Sequence, residues 1–574
     1  MLYKKTALDA SGLIQRWVLV PILIGGAIGL AEVALVEAYS VMHVKLYPFL
    51  SSPLAFLVLP SGLLISYTIS TLVGHTRPGS TTHEVLQKFH FRDGEGTLRS
   101  DISTPIASAV TMGFGGSAGL EGPSLSLGGA ISYRLSRMLG AKGDDLRVLF
   151  LAGAGSALGA VLKAPLTGIL FAIEVPYTQD LEHRVFLPAI PMGIVSYLVY
   201  ILFEGKTPIF SLLPSSPFPT YTELMLSLLL GAFLGGIALA FIYVYKLGSK
   251  LSLGPSFAPR GAFISIMAGL LIAAIGYVEP YSLGVGYRVI SSSMNASLPD
   301  SLWSFGAGSI LLLVFAKMMT TSATLNGGGD GGLFIPSILL GATASVGLMR
   351  VLGLPFSPIL VAAGAAAMVA ATNKTPLASV AFVAETMTPS AIIPALLAAA
   401  VAYTVTSNKG LYEGQLDFSP ARTHLALLRL GALARKGKNN VIELKDIMKP
   451  VRFKLLLTDN TKKALSLLSI SGDTSLPVVD HSGKYIGRLD LENLAANPSW
   501  SIERLMIADK PLLITDWGET ATELILRRAK GIIYVTDEEG KLRGVIRTAD
   551  LVKAYAKLLE AEDSSGSTGI PDAT

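Results

Sequence analysis

The chain has no cysteine in 574 residues, which excludes disulfides and thiolate metal sites and says nothing of compartment. It is also poor in charge. Asp, Glu, Lys and Arg together make 15% of it, against 51% for the hydrophobic types. A chain this apolar belongs mostly in a bilayer. Its net charge of +5 is spread too unevenly to mark a nucleic-acid surface. Carboxylates are scarcest where the chain is most apolar: Glu32, Glu37, Glu121, Glu174 and Glu385 are the main ones in the hydrophobic segments. That scarcity argues against a CBS-containing magnesium transporter, because a hard cation needs several oxygen ligands. A metal site is also missing from "HEVLQ" at 83–87, where Gln87 takes the place of the second histidine of a zinc-protease HExxH, and His90 is wrongly spaced to replace it. No enzyme is expected.

What the sequence does hold is a series of apolar segments between residues 17 and 406, several shorter than the ~20 residues of a full span. They are interrupted by "GFGGSAGLEGP", "LKAPLTG", "NGGGDGGLFIP" and "NKTPLAS". Broken backbone at membrane depth is tolerated where it is buried or lines a polar cavity. The interruptions also repeat. "APLTGILFAIEV" (164–175) resembles "TPLASVAFVAET" (375–386), with Lys163/Lys374, Pro165/Pro376 and Glu174/Glu385 each 211 apart (376 − 165). "GLEGPSLSLGGA" (119–130) resembles "GLFIPSILLGAT" (332–343), with Gly119/Gly332, Pro123/Pro336, Ser124/Ser337 and Gly128/Gly341 each 213 apart (332 − 119). The expected fold is a polytopic α-helical membrane protein of two repeated halves, about 17–205 and 222–415. An inverted arrangement is expected, although span parity alone leaves it open. Broken helices at matching places in two halves point to a transport site at the repeat interface.

Each repeated element is a glycine-rich turn, a proline and a helix-forming run. Pro near a first turn marks a helix start. Free N–H groups and the positive end of a helix attract anions. Gly119, Gly122, Pro123, Gly332 and Pro336 therefore frame an anion site. Glu121, the costly carboxylate among them, can occupy the anion's own place and close it until it is protonated or displaced.

With those residues in hand the chain resembles the CLC family of chloride channels and chloride/proton antiporters, over roughly Trp17 to Gln415. "GLEGP" is similar to the family's GREGP-type motif with its gating glutamate, here Glu121; Leu120 stands where a basic residue is usual. "GLFIP" matches GxFxP, "GSTTHEV" (79–85) matches GSGIPE at Gly79, Ser80 and Glu84, and "LYEGQL" (411–416) resembles the segment of the pore tyrosine. The resemblance implies that chloride is bound by the hydroxyls of Ser80 and Tyr412 and the N–H groups of Leu333 and Phe334. It implies no required cofactor, a multi-pass homodimer in the lipid bilayer of the cell membrane, and voltage-gated members among its relatives. Antiporters of the family carry a second, proton-relaying glutamate at the position of Val175. A valine there, with Glu174 next to it, favours passive conduction over antiport.

A second repeat lies in residues 440–562, where "VVDHSGKYIGRLDLENL" (478–494) resembles "YVTDEEGKLRGVIRTADL" (534–551). It resembles a pair of CBS modules, about 440–496 and 497–558. The expected organisation is a transport domain at 1–430, a CBS pair at 431–562 and a disordered tail at 563–574. Basic residues Lys4, Lys5 and Arg16, and Arg429, Arg435, Lys436 and Lys438, put the N-terminus and the CBS pair in the cytoplasm. Asp550 matches the ribose-binding aspartate of CBS pairs that bind ATP or another adenine nucleotide, but Arg547 replaces the usual hydroxyl residue before it. A nucleotide site and a purely structural module both stand.

Overall fold

The computed structural model describes residues 15–210, 218–250, 253–295, 307–419, 443–471, 473–497, 500–516 and 532–555. Lys4 and Lys5, the basic cluster at 429–438, the expected boundary at 430/431 and the 563–574 tail lie outside these residues. The chain divides into two units, Met1–Asp417 and Phe418–Thr574.

Among the described residues the first unit holds sixteen α-helices. Eight make the first half: α1 Val20–Leu50, α2 Ala55–Thr68, α3 Thr81–Phe91, α4 Leu98–Gly113, α5 Glu121–Met138, α6 Asp144–Val161, α7 Pro165–Glu174 and α8 Phe186–Glu204. Eight follow in the same order: α9 Tyr221–Ser249, α10 Pro259–Val278, α11 Tyr287–Met294, α12 Ala307–Asn326, α13 Phe334–Val351, α14 Pro358–Asn373, α15 Pro376–Thr386 and α16 Ile392–Thr406. Among the described residues, eight helical stretches are long and apolar enough to cross a membrane, while α7, α14 and α15 are apolar but short. Proline in the first turn starts α7, α10, α14 and α15. A capping box between Thr220 and Glu223 starts α9. The repeat mates Lys163 and Lys374 both turn through left-handed backbone, at φ 51° and 60°, to separate α6 from α7 and α14 from α15.

Three reciprocal exchanges fix how the halves relate. Glu174, ending α7, accepts the N–H groups of Leu377 and Ala378 at the start of α15, at 2.9 and 2.8 Å. Glu385, in the last turn of α15, accepts those of Leu166 and Thr167 at the start of α7, at 3.0 and 2.8 Å. Gly119 and Gly332 trade N–H···O bonds of 3.0 and 2.9 Å. The Ser117 N–H donates to Thr324 Oγ1, and the Asp330 N–H donates to Thr111 Oγ1, both at 3.0 Å. End-to-start capping in both directions requires antiparallel neighbours about a two-fold axis perpendicular to them. That is the relation expected of inverted halves.

Repeat mates α6 and α14 are sealed on every side: Leu146–Val161 and Ile359–Asn373 are buried throughout. Small residues bring their neighbours close, as membrane helices require where no hydrophobic drive separates helix from lipid. A side chain at Gly128 would meet the Gly153 carbonyl, and one at Gly341 would meet the Gly364 carbonyl.

The second unit holds two sheets of one design. In the first, β1 (Leu455–Leu456) runs parallel to β2 (Ser475–Val479), which pairs antiparallel with β3 (Tyr485–Asp490). In the second, β4 (Leu512–Leu513), β5 (Ile532–Thr536) and β6 (Leu542–Arg547) repeat this, including the register shift near the end of the central strand. The two sheets carry the two copies of the repeat at 478–494 and 534–551. The copies exchange their leading segments: Lys449 pairs with Val545 on β6, and Ile507 with Arg488 on β3. Leu444 accordingly packs into the core of the second copy, and Ile502 and Leu505 into that of the first.

Candidate functional site

Three helix starts meet in the first unit. Ser80 precedes α3, Glu121 opens α5, and Leu333 precedes α13 at Phe334. Backbone bonds stitch them together. The Gly331 N–H donates to the Gly79 carbonyl at 3.2 Å, and the Thr81 N–H to the Gly331 carbonyl at 3.1 Å. The Gly119–Gly332 exchange ties α5 to α13. Pro123 and Pro336 are each the third residue of their helix, where an N–H would have no partner in the helix. The Phe334 ring is fixed edge-on between Phe171 and Phe382, at 5.7 and 5.3 Å between ring centres. These two rings are themselves repeat mates, 211 apart (382 − 171).

Glu121 is fully buried, and its Oε1 accepts the N–H groups of Phe334 and Ile335 at 2.5 and 3.2 Å. Oε2 has no hydrogen-bond partner among the described residues. Two glycines make room for the carboxylate. A side chain at Gly119 would run into Oε2, and one at Gly332 into Oε1. The carboxylate thus sits as an anion on the start of α13, among N–H groups that a ligand would otherwise meet.

Two hydroxyls complete the setting. Ser80 has the extended backbone of an N-cap, yet its hydroxyl makes no capping bond and is shielded from solvent without a partner. An N-cap serine ordinarily spends its oxygen on the helix. The Tyr412 hydroxyl is likewise buried and unpaired. Its loop is held by Gln415, whose Nε2 donates to the carbonyls of Val175 and Asn373 at 3.0 and 2.9 Å. The Val175 side chain is buried. A cavity of about 560 Å³ reaches Ser80 and Leu411, and Arg77, Lys88, Arg92 and Arg99 on its wall outnumber Glu84 and Glu413. The structure therefore gathers Ser80, Glu121, Leu333, Phe334 and the framing glycines at one junction, and Tyr412 presents a buried, unpaired hydroxyl.

Sequence reasoning counted Glu32 among the membrane carboxylates without giving it a role, and it passed over Lys317 and Asp330. Glu32 accepts the Ser124 hydroxyl at 2.6 Å, one helical turn along from Glu121. Lys317 donates to the carbonyls of Ser282 and Gly284 at 3.2 and 2.6 Å. Asp330 ties the helical turn at Ser70 to the loop at Gly79. Only the placement of a carboxylate inside "NGGGDGGLFIP" hinted at the last.

In the second unit Asp550 accepts the Arg547 N–H at 3.0 Å and pairs with Lys449. Arg547 is in turn held by both oxygens of Asp473, at 3.0 and 2.8 Å. These groups line or border a cavity of about 440 Å³. The Asp550 carboxylate thus meets the half-exposed Lys449 and the Arg547 N–H within its own unit.

The sequence model of the family described as voltage gated chloride channel matches residues 61–407. An uncharacterised protein of Methanocaldococcus jannaschii is 25% identical over 400 residues, covering 70% of this chain and 95% of the relative. The H(+)/Cl(-) exchange transporter ClcA of Vibrio cholerae is 30% identical over 285 residues, covering 48% of this chain and 59% of that protein. A crystal structure of a eukaryotic CLC transporter shares the fold with a TM-score of 0.58 at 18% identity, covering 94% of this chain and 98% of the other.

Proposed function

The chain belongs to the voltage-gated chloride channel family, and on that footing we propose that it conducts chloride passively through a pathway closed by the Glu121 carboxylate. The observation that carries this reading is the carboxylate itself, an anion seated on the N–H groups of Phe334 and Ile335. Ser80 and Tyr412, buried hydroxyls without partners, supply donors for a bare anion beside it. Protonation removes the charge that the helix start holds and frees the Phe334 and Ile335 N–H groups for chloride, next to the Leu333 N–H that the resemblance implies. The basic wall of the cavity below Ser80 raises the local anion concentration.

Passive conduction is favoured because the position for a proton relay is Val175, and the adjacent Glu174 spends both oxygens on the start of α15. Antiport is the second reading, favoured by the likeness to a protein named as an H(+)/Cl(-) exchanger. The protein is read as a homodimer in the cell membrane, with its N-terminus and CBS pair in the cytoplasm. The CBS pair is read as a structural module.

The test is chloride efflux from liposomes carrying the purified protein, with valinomycin setting the potential. Wild-type efflux should rise as pH falls. Glu121→Gln, which keeps the volume and removes the charge, should make efflux fast and independent of pH. No chloride efflux at any pH would refute the reading, and a wild-type pH response in Glu121→Gln would reduce Glu121 to a helix cap.

A further inference from the structure

We infer that Asp330 is the positioning residue that sets the Ser80 hydroxyl and, through it, the preference among anions. The inference rests on the reading above, in which Ser80 faces the permeating ion.

Asp330 lies in the loop between α12 and α13 and is 3% exposed. Its Oδ1 accepts the Gly79 N–H at 2.7 Å, one residue before Ser80. Its Oδ2 accepts the Ser70 hydroxyl, beyond the end of α2. Gly79 stands at φ 137°, a backbone state that favours glycine, so this segment takes the shape its partners impose. Gly331, the next residue, holds the Gly79 carbonyl and the Thr81 N–H from the other side. Residues 330 and 331 therefore clamp Ser80 between two bonded neighbours. The result is a serine that starts α3 while its own hydroxyl stays unspent.

The internal repeat shows what is special about this position. Asp330 and Ser117 are mates, 213 apart (330 − 117), and so are Thr324 and Thr111 (324 − 111). Their backbone N–H groups make matching bonds to the opposite threonine, both 3.0 Å. The side chains then diverge. The Ser117 hydroxyl stops at Thr321 Oγ1, 2.8 Å away. Asp330 reaches across to the loop that carries the ion-facing serine. In the other half the residue before the helix matching α3 is Gly286, which has no hydroxyl to aim. The long acceptor is present in the half with a hydroxyl to place.

Electrostatics argue for position rather than attraction. A buried carboxylate beside an anion's path opposes the anion and is costly to keep. Both Asp330 oxygens accept donors, one from the helical turn at Ser70 and one from the loop at Gly79. What Asp330 supplies is two directed bonds, and the separation of geometry from charge gives the test.

Chloride and nitrate fluxes are compared in liposomes for wild type, Asp330→Asn, Asp330→Glu, Asp330→Ala and Ser80→Ala. Asparagine keeps the acceptor for Gly79 and removes the charge, so the chloride/nitrate ratio should stay within about twofold of wild type. Glutamate keeps the charge and moves the oxygens by a methylene, so the ratio should fall by about threefold or more, as in Asp330→Ala. The reverse pattern, a shift in Asp330→Asn with none in Asp330→Glu, would overturn the inference by making charge the variable. A shift in Ser80→Ala with none in any Asp330 variant would sink the positioning role alone. An unchanged ratio in Ser80→Ala would remove the underlying reading of Ser80 as well. Should Asp330→Ala fail to fold, the Asn and Glu pair decides by itself.

Discussion

At the scale of single residues, the site is a matter of who owns the N–H groups at the start of α13. Glu121 owns two of them, and it can do so only because positions 119 and 332 lack side chains. A methyl group at Gly332 would fall on Glu121 Oε1 and its carboxyl carbon. Glycine→alanine is ordinarily mild or even stabilising where φ is negative. Here the added carbon falls on the Glu121 carboxylate and also, at 2.7 Å, on the Gly122 backbone nitrogen, so it crowds the carboxylate's seat and presses on the first turn of α5. Gly332→Ala should therefore evict the carboxylate without removing it. Its chloride efflux should be faster than wild type at neutral pH and should lose most of its acid activation, approaching Glu121→Gln. A folded Gly332→Ala protein with the wild-type pH profile would show that the carboxylate does not close the pathway from this position.

At the scale of elements, the exchange between α7 and α15 is what keeps the two halves in register. Each helix ends in a glutamate that caps the other's first turn. Loss of either carboxylate leaves two N–H groups without partners, at a cost of about 1–3 kcal/mol where they are buried. Glu174 is 3% exposed, and Glu385 is partly exposed, so water can replace Glu385 more readily. Glu174→Ala should lower the thermal unfolding temperature of the purified protein more than Glu385→Ala. Equal and negligible shifts would mean that the exchange does not hold the halves together. Both glutamates were legible in the sequence, because their repeats share a proline and a lysine at a fixed offset, and so were the two glycine-rich helix starts. The pairing of the other helices was not. Between α1 and α9, or α4 and α12, the mates share little beyond hydrophobicity, which lipid rewards without regard to order. Asp330 was hidden for a different reason: its partners Ser70 and Gly79 lie more than 250 residues away, and no local pattern points to them. In the second unit the repeat was legible, but the exchange of Lys449 and Ile507 between copies was not, since pairing across copies leaves no local periodicity.

At the scale of the whole molecule, the question is whether chloride movement is tied to protons. Coupling requires a group that carries protons between Glu121 and the cytoplasmic side. Val175 has none to offer, and its carbonyl is bound to Gln415. Glu174 is a carboxylate at the right place along the chain, yet its repeat mate Glu385 makes the same bonds in the half where Phe334 stands at the position matching Glu121. A role shared by both halves is a role of the scaffold. Glu32 is buried and bonded to Ser124 on α5, but it meets that helix one turn beyond Glu121 and has one oxygen without a partner among the described residues. The position at which the resemblance places the proton relay therefore carries no proton-bearing side chain, and the carboxylate next to it is spent on the scaffold. A proton gradient imposed across liposomes with equal chloride on both sides should drive no chloride uptake. The reversal potential in a chloride gradient should follow chloride alone, whatever the pH difference. Proton-driven chloride accumulation would overturn passive conduction, and its loss in Glu32→Gln but not in Glu174→Gln would place the missing relay on α1.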